Sequence, residues 1–292
     1  MSNVNTMILS IDIGSTRTHV AAVDIAELSC AGRIDFDNAD FDNRFIPAVK
    51  KILSANPRIR KANISSCVKA LAGNAKTYLV RDNLFDDIAL VKADNNQSIQ
   101  FNYDHPEKLG TDRVCNALAC AAMFKNRNCV IVDSGTAITI DYLHAGKTFE
   151  GGAILPGCMT QVNALHNQTD ALPRVNIYHS GIDPSVDTYE FNKNVVVNDD
   201  LSITLPSKST ENCIKSGVLY GTAGAVERCI AEYHKVISNN NCNYGGNGNN
   251  DDSNNDLMIA ATGGDWKLIS PLVSYNITTI PNLTLIGTAL YR

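Results

Sequence analysis

The stretch Asp12-Ile13-Gly14-Ser15-Thr16 decides how this chain is read, because Asp133-Ser134-Gly135-Thr136 repeats it. The first copy follows a short apolar run from Met7 to Asp12, and the second follows Cys129 to Asp133. Each leads into another β-prone run, Thr18 to Asp24 and Ala137 to Leu143. Strand, glycine turn, strand reads as a hairpin. A glycine in the tight turn lets the backbone approach a phosphate, whose oxygens the neighbouring hydroxyls and N–H groups can cradle. An aspartate at the strand end can hold a metal, directly or through water. One such turn is common in ordinary hairpins. Two copies about one domain apart point to a duplicated architecture. A third glycine-rich turn, Thr262-Gly263-Gly264-Asp265, follows the late apolar run Leu257 to Ala261.

Working outward, strands and helices alternate, which is the α/β signature. Ile34 to Phe36 reads as a third strand. Phe45, Ile46, Val49, Ile52 and Leu53 lie at helical spacing within Asn43 to Ser54, ahead of Pro57. Ile64 to Leu71 and Ile88 to Val91 read as buried strands flanking a helix around Lys76 to Asn83. Lys108 to Phe124 predicts a helix with Val114, Ala117, Leu118 and Ala121 on one face. Thr148 to Leu155 predicts a strand, closed by Pro156-Gly157 and followed by a helix to about Asn167. A long helix is expected from Thr210 to about Ser238, another from Trp266, and a terminal one within Asn282 to Leu290. Residues 176–207 are polar and 239–256 are dominated by Asn, Gly and Asp, so both read as surface insertions.

Composition narrows the class. With 292 residues, 44% hydrophobic and 19% charged, the chain has enough apolar side chain for one large domain or two. A net charge of −5 gives no support for a nucleic-acid surface. Nine cysteines include no C-x-x-C pair and no zinc-type spacing. No secretory signal opens the chain and no run approaches the ~20 apolar residues of a membrane span. The expectation is a reduced, soluble, cytoplasmic protein with buried thiols.

Gly110-Thr111-Asp112-Arg113 opens the helix expected after Lys108. Favourable interaction with the helix dipole accounts for Asp112 without any function, and Arg113 fits a surface position equally well. The glycine turns resemble the actin-like ATPase fold of sugar kinases and acetate kinase. That resemblance implies two duplicated α/β domains, 1–115 and 116–292, with a nucleotide cleft between them.

The full set of motifs resembles the type III pantothenate kinases. It comprises the first turn, Tyr103 with Leu109 to Arg113, Asp133 to Ala137, Gly151-Gly152-Ala153-Ile154-Leu155-Pro156-Gly157, Thr210 leading to Ser216 to Gly221, and Thr262 to Asp265. The resemblance covers nearly the whole chain. It implies ATP-dependent phosphorylation of pantothenate, the first step towards coenzyme A, with Mg²⁺ and a monovalent cation (K⁺ or ammonium), in a homodimer. Carried over residue by residue, Asp12, Ile13, Gly14, Ser15, Thr16, Arg17, Thr18 and His19 form the ATP phosphate loop, and Thr136 is a further ATP contact. Asp112 is the general base. Tyr103, Gly110, Thr111, Asp112, Arg113 and Thr210 bind pantothenate, and Asp133 is the monovalent-cation ligand. Phosphoryl transfer demands positioning and charge neutralisation, which suits these residue types. Ser15 stands where the family usually has asparagine, and His19 where some members have lysine. The competing readings are a catalytically silent regulatory homologue and another actin-like small-molecule kinase.

Overall fold

The computed structural model describes residues 6–94, 98–178, 203–243 and 257–292, so most of the two expected insertions lies outside the described residues. The chain forms two compact units. One comprises Met1–Cys129, Asp141–Gly151 and Ile280–Arg292, and the other Val130–Ile140 and Gly152–Thr279.

The first unit is built on β1 (Met7–Ile13), β2 (Arg17–Asp24) and β3 (Ser29–Asp37), which form an antiparallel meander. Helix α1 (Phe41–Ala55) buries Phe41, Phe45, Ala48, Val49 and Ile52, a single stripe at helical spacing. The Phe41 and Phe45 rings stack at 4.9 Å. Strand β4 (Lys61–Ser66) then pairs parallel with β1. It stops five residues short of the expected Leu71. The Ser66 side chain accepts from the Val68 amide at 3.0 Å and donates to the Val68 carbonyl at 2.9 Å, turning the chain into α2 (Lys69–Arg81). β5 (Asp87–Leu90) lies parallel beside β4. The sheet order is β3-β2-β1-β4-β5, with a core of Leu9, Ile11, Ile13, Val20, Ile64 and the aromatic residues of α1.

Strand β6 (Gln100–Phe101) precedes α3 (Thr111–Met123), and the strands β7 (Asn128–Ser134), β8 (Ala137–His144) and β9 (Thr148–Pro156) follow, then α4 (Cys158–Asn167). Helix α5 (Thr210–Asn243), β10 (Leu257–Thr262), α6 (Trp266–Ile269), β11 (Thr278–Thr279) and α7 (Leu283–Leu290) complete the chain. Pro271 keeps α6 short, since it cannot continue a helix. The two-residue strands β6 and β11 carry no periodic signal, which is why the sequence does not announce them. The second sheet runs β11-β10-β7-β8-β9-β6. Five of its strands repeat the first sheet's order: β9-β8-β7-β10-β11 matches β3-β2-β1-β4-β5. In both, the fourth and fifth strands pair parallel.

The last helix belongs to the first unit. Gly287 of α7 lies so close to Cys115 of α3 that an added Cβ would sit 1.7 Å from the Cys115 carbonyl oxygen. The Asn63 side-chain amide donates to the carbonyls of Thr288 and Tyr291 at 2.9 and 3.0 Å, satisfying the end of α7. Ser10 donates to the Leu285 carbonyl at 2.7 Å. These contacts set where α3, and hence Asp112, sits against β1 and β4.

Candidate active site

Parallel strands β1 and β4 end side by side, with Asp12 opposite Ser65 and Ile13 opposite Ser66. On its other edge β1 pairs antiparallel with β2, and the carboxyl ends of parallel strands such as β1 and β4 are a common place for ligands in α/β sheets. Helix α3 starts at the same point. The Thr111 hydroxyl accepts from the Ser66 amide at 2.9 Å and lies 3.0 Å from the Ser65 hydroxyl as its hydrogen-bond acceptor. Ser65 in turn hydrogen-bonds Asp12. The first turn of α3 is thereby tied to the ends of both strands, and Asp112 is held near Asp12.

Burial pushes the Asp12 carboxyl up to about 6, and the nearby Asp112 adds to the rise. His19, the Ser65 hydrogen bond and Arg33 oppose it without cancelling it. Asp112 Oδ1 accepts from the Arg113 amide at 2.8 Å, a local bond of the helix start. Gly110 precedes it because a Cβ there would sit 2.6 Å from that same oxygen.

The first glycine turn is closed by the Gly14 amide donating to the Arg17 carbonyl at 2.9 Å. Ser15 and Thr16 are exposed at its tip. Its brace is Asn38, which sequence reasoning missed. The Asn38 side chain donates to the Gly14 carbonyl at 2.8 Å and accepts from the Thr18 hydroxyl at 2.7 Å. No motif marks Asn38, since it reaches the turn only through the β2–β3 pairing. Thr18 is therefore buried and engaged inside the protein. His19 faces a charged cluster: its Nδ1 lies 2.9 Å from Asp35 Oδ1 and 2.9 Å from Arg33 Nη2. Burial would raise the Asp35 carboxyl, but His19 and Arg33 outweigh it and hold it at about 2.

Arg113 is buried, so the surface reading of this residue is wrong. Its Nε donates to both Asp141 carboxylate oxygens at 3.0 and 3.1 Å, and Nη2 donates to Oδ1. Nη1 donates to the Tyr103 hydroxyl at 3.4 Å. Burial works against the charge and the Asp141 carboxylate outweighs it, so the guanidinium is held above its ordinary value.

In the second unit, the Gly135 amide donates to the Ala137 carbonyl at 3.0 Å, closing a turn one residue tighter than the first. Asp133 is half-buried at the end of β7, and Thr136 is exposed. The Gly157 amide and the Thr160 hydroxyl both donate to the Thr136 carbonyl, at 2.9 and 2.7 Å. The Asp265 amide donates to the Ser134 carbonyl at 3.1 Å, which joins the third glycine turn to the second. The Asp265 carboxylate, raised by burial, accepts from the Tyr178 hydroxyl. Thr210 heads α5 and is exposed. The structure thus gathers Asp12, Gly14, Thr111, Asp112, Arg113 and Tyr103 in the first unit. Asp133, Thr136 and Thr210 lie in the second.

Two sheets of one strand order, each with an Asp-x-Gly turn after its leading strand, define an actin-like ATPase fold of the kind used by phosphotransferases. The profile of the type III pantothenate kinase family matches residues 8–232, and the chain belongs to that family. It is 28% identical over 284 residues to a type III pantothenate kinase of Legionella pneumophila (strain Paris), covering 96% of each chain. It is 28% identical over 289 residues to the type III pantothenate kinase of Rubrobacter xylanophilus, covering 96% of this chain and 95% of that one. Among solved structures, a Baf family protein from Campylobacter jejuni shares the fold, with a TM-score of 0.52, 16% identity and coverage of 96% and 94% of the two chains.

Proposed function

We propose that this protein phosphorylates pantothenate with ATP, giving 4'-phosphopantothenate and ADP, the entry step to coenzyme A. The observation that carries this reading, beyond family membership, is the pairing of Asp12 and Asp112 beside an exposed glycine turn. Asp112 is the general base. Its Oδ1 is tied to the Arg113 amide, which leaves Oδ2 to take the proton of the pantothenate primary hydroxyl. The hydroxyl oxygen forms the new bond to the γ-phosphorus while the bond to the β-phosphate oxygen breaks, and ADP leaves with that electron pair. The turn of residues 14–17 lines the ATP phosphates through its amides and the Ser15 and Thr16 hydroxyls, with the buried Ile13 and Thr18 supporting it rather than touching ligand, and Thr136 makes a further ATP contact. Tyr103, Gly110, Thr111, Arg113 and Thr210 hold pantothenate.

A divalent cation fits this chemistry. Among the described residues no group of three or more His, Cys, Asp or Glu could hold a metal by itself. Mg²⁺ needs no such cage, since one or two carboxylates and the substrate phosphates suffice. Asp12, with its charge disfavoured by burial, is the group a cation would stabilise, and the bound ion would offset phosphate charge. Asp133 offers the oxygen donor suited to a monovalent cation. The working form is a homodimer in the cytoplasm. No helix among the described residues is long and apolar enough to cross a membrane.

The test is turnover by the purified protein with ATP, Mg²⁺ and K⁺. Phosphopantothenate should form, and Asp112→Asn should lower kcat by about 10²–10⁴-fold, the range for removing a general base. Absence of product from the wild type, or an Asp112→Asn variant indistinguishable from it, overturns the reading.

A further inference from the structure

A buried arginine that already has a protein partner poses a question. Arg113 is only 6% exposed and its partner Asp141 1%. Asp141 takes up the whole Nε/Nη2 edge of the fork. A bidentate pair of this kind fixes the plane of the guanidinium as well as its charge. The guanidinium also lies against two adjoining rings, whose centres are 6.1 Å apart. The Arg113 guanidinium carbon lies 5.6 Å from the Tyr103 ring centre and 5.4 Å from that of Phe149. The remaining nitrogen, Nη1, points at the Tyr103 hydroxyl.

Tyr103 is placed from its backbone side, and its ring lies 6.1 Å from that of Phe149. It follows the two-residue strand β6, which pairs Phe101 with Phe149 of β9. The Asn102 amide donates to the Phe149 carbonyl at 2.9 Å, and the Asn102 side chain donates to Glu150 at 2.6 Å. The ring then rests on Gly151. Gly151 has φ +88°, and a Cβ there would sit 3.6 Å from two ring carbons. The backbone is thus pinned, while the hydroxyl end of the half-buried Tyr103 is located by Arg113.

We propose that Asp141 is a positioning residue of the pantothenate site: it fixes the Arg113 fork so that Nη1 holds the Tyr103 hydroxyl in place. Arg113 then acts on the substrate chiefly through Tyr103 and through its own amide on Asp112. A merely structural ion pair would support folding alone. The positioning role rests on the proposed pantothenate site, so the test reads binding as well as turnover.

The variants are Asp141→Asn, Asp141→Glu, Tyr103→Phe and the Asp141→Asn/Tyr103→Phe double variant, in the full chain. Each is measured for pantothenate KM, ATP KM, kcat, pantothenate Kd by calorimetry, and Tm. Asp141→Asn should raise pantothenate KM and Kd about tenfold, the size expected for losing one charge-assisted hydrogen bond, and leave ATP KM within about twofold. Tyr103→Phe should do much the same, and the double variant should be no worse than either single one, because both break one chain of contacts. Asp141→Glu, which keeps the charge, should recover part of the loss. Should Asp141→Asn fail to fold, Asp141→Glu and Tyr103→Phe carry the test, with a selective rise in pantothenate KM expected of both, smaller for Asp141→Glu. Full additivity, or a fall in Tm with both KM values unchanged, overturns the proposal. If the wild type binds pantothenate without turning it over, the kinase reading fails while the Kd series still judges Asp141. If it neither binds nor turns over, both fall.

Discussion

The two Asp-x-Gly turns share a sequence pattern but are held in different ways. The first is braced by a side chain: Asn38 reaches from beyond β3 to the Gly14 carbonyl and the Thr18 hydroxyl. The second has one side-chain bond, from the Thr160 hydroxyl to the Thr136 carbonyl, and is otherwise packed backbone against backbone. A Cβ on Gly157 would lie 2.0 Å from the Gly135 carbonyl oxygen, and one on Gly263, at φ +96°, 2.2 Å from that of Ser134. A turn held by a side chain can be trimmed at that side chain. A turn held by the absence of side chains tolerates nothing added. The glycines of the Gly151 to Gly157 motif accordingly serve packing, on Tyr103 at one end and on the second turn at the other.

The largest effect should come from breaking the glycine-braced turn. Gly157→Ala and Gly263→Ala each place a methyl inside van der Waals contact with backbone that cannot swing aside. Each should destabilise the protein by about 3 kcal/mol or more, the upper range for overpacking, or abolish folding. Gly14→Ala is the matched control in the first turn. Its Cβ would meet only the Arg17 carbonyl oxygen, at 3.3 Å, so the loss should stay near ~1 kcal/mol. Chemical denaturation of the three variants decides it, and equal losses would erase the distinction between the turns.

The second prediction concerns the acid of the first turn. Burial, with Asp112 adding to it, raises Asp12 from 3.8 to about 6. Its charge therefore destabilises the folded state above pH 6, by roughly 3 kcal/mol at most. Because the folded form binds the proton more tightly, this penalty is relieved as pH falls through 6 and is gone below about 4. Asp12→Asn should thus raise Tm at pH 7.5 by several degrees while impairing ATP binding, and its advantage should shrink at pH 5. A variant less stable than wild type at pH 7.5 would show that Asp12 is placed for structure rather than for a ligand's charge.

Much of this was legible in the residues. The repeated Asp-x-Gly turn gave the duplicated sheets, because a strand's apolar run and a glycine are local signals. Asp112 and Thr111 were legible as part of a motif. Thr111's use of its hydroxyl on β4 was not, since it depends on which strand lies beside α3. Asn38, Asp141 and Gly287 were missed for one reason: each acts across 24 residues or more, on Gly14, Arg113 and Cys115, and no spacing rule connects such pairs. The burial of Arg113 was hidden likewise, because its acidic partner lies 28 residues on. Local chemistry can be read along the chain, whereas buried charge pairs need the fold to bring them together.

The smallest effect should come from trimming the side-chain brace. Asn38→Ala removes two hydrogen bonds, one to the Gly14 carbonyl and one from the buried Thr18 hydroxyl. The Gly14 amide's own bond to Arg17 remains, so the turn keeps its closure. The Thr18 hydroxyl loses its acceptor inside the protein, which sets the stability loss at about 1–2 kcal/mol. The functional effect should separate from that loss. Ser15 and Thr16 would be held less firmly, so ATP KM should rise about three- to tenfold while pantothenate KM stays put, because Tyr103 and Arg113 are anchored elsewhere. Asn38→Asp retains an acceptor for Thr18 but offers the Gly14 carbonyl no donor. It should recover the stability and not the ATP KM. If both Asn38 variants left ATP KM unchanged, the first turn would not depend on its side-chain brace, and the contrast between the two turns would reduce to packing alone.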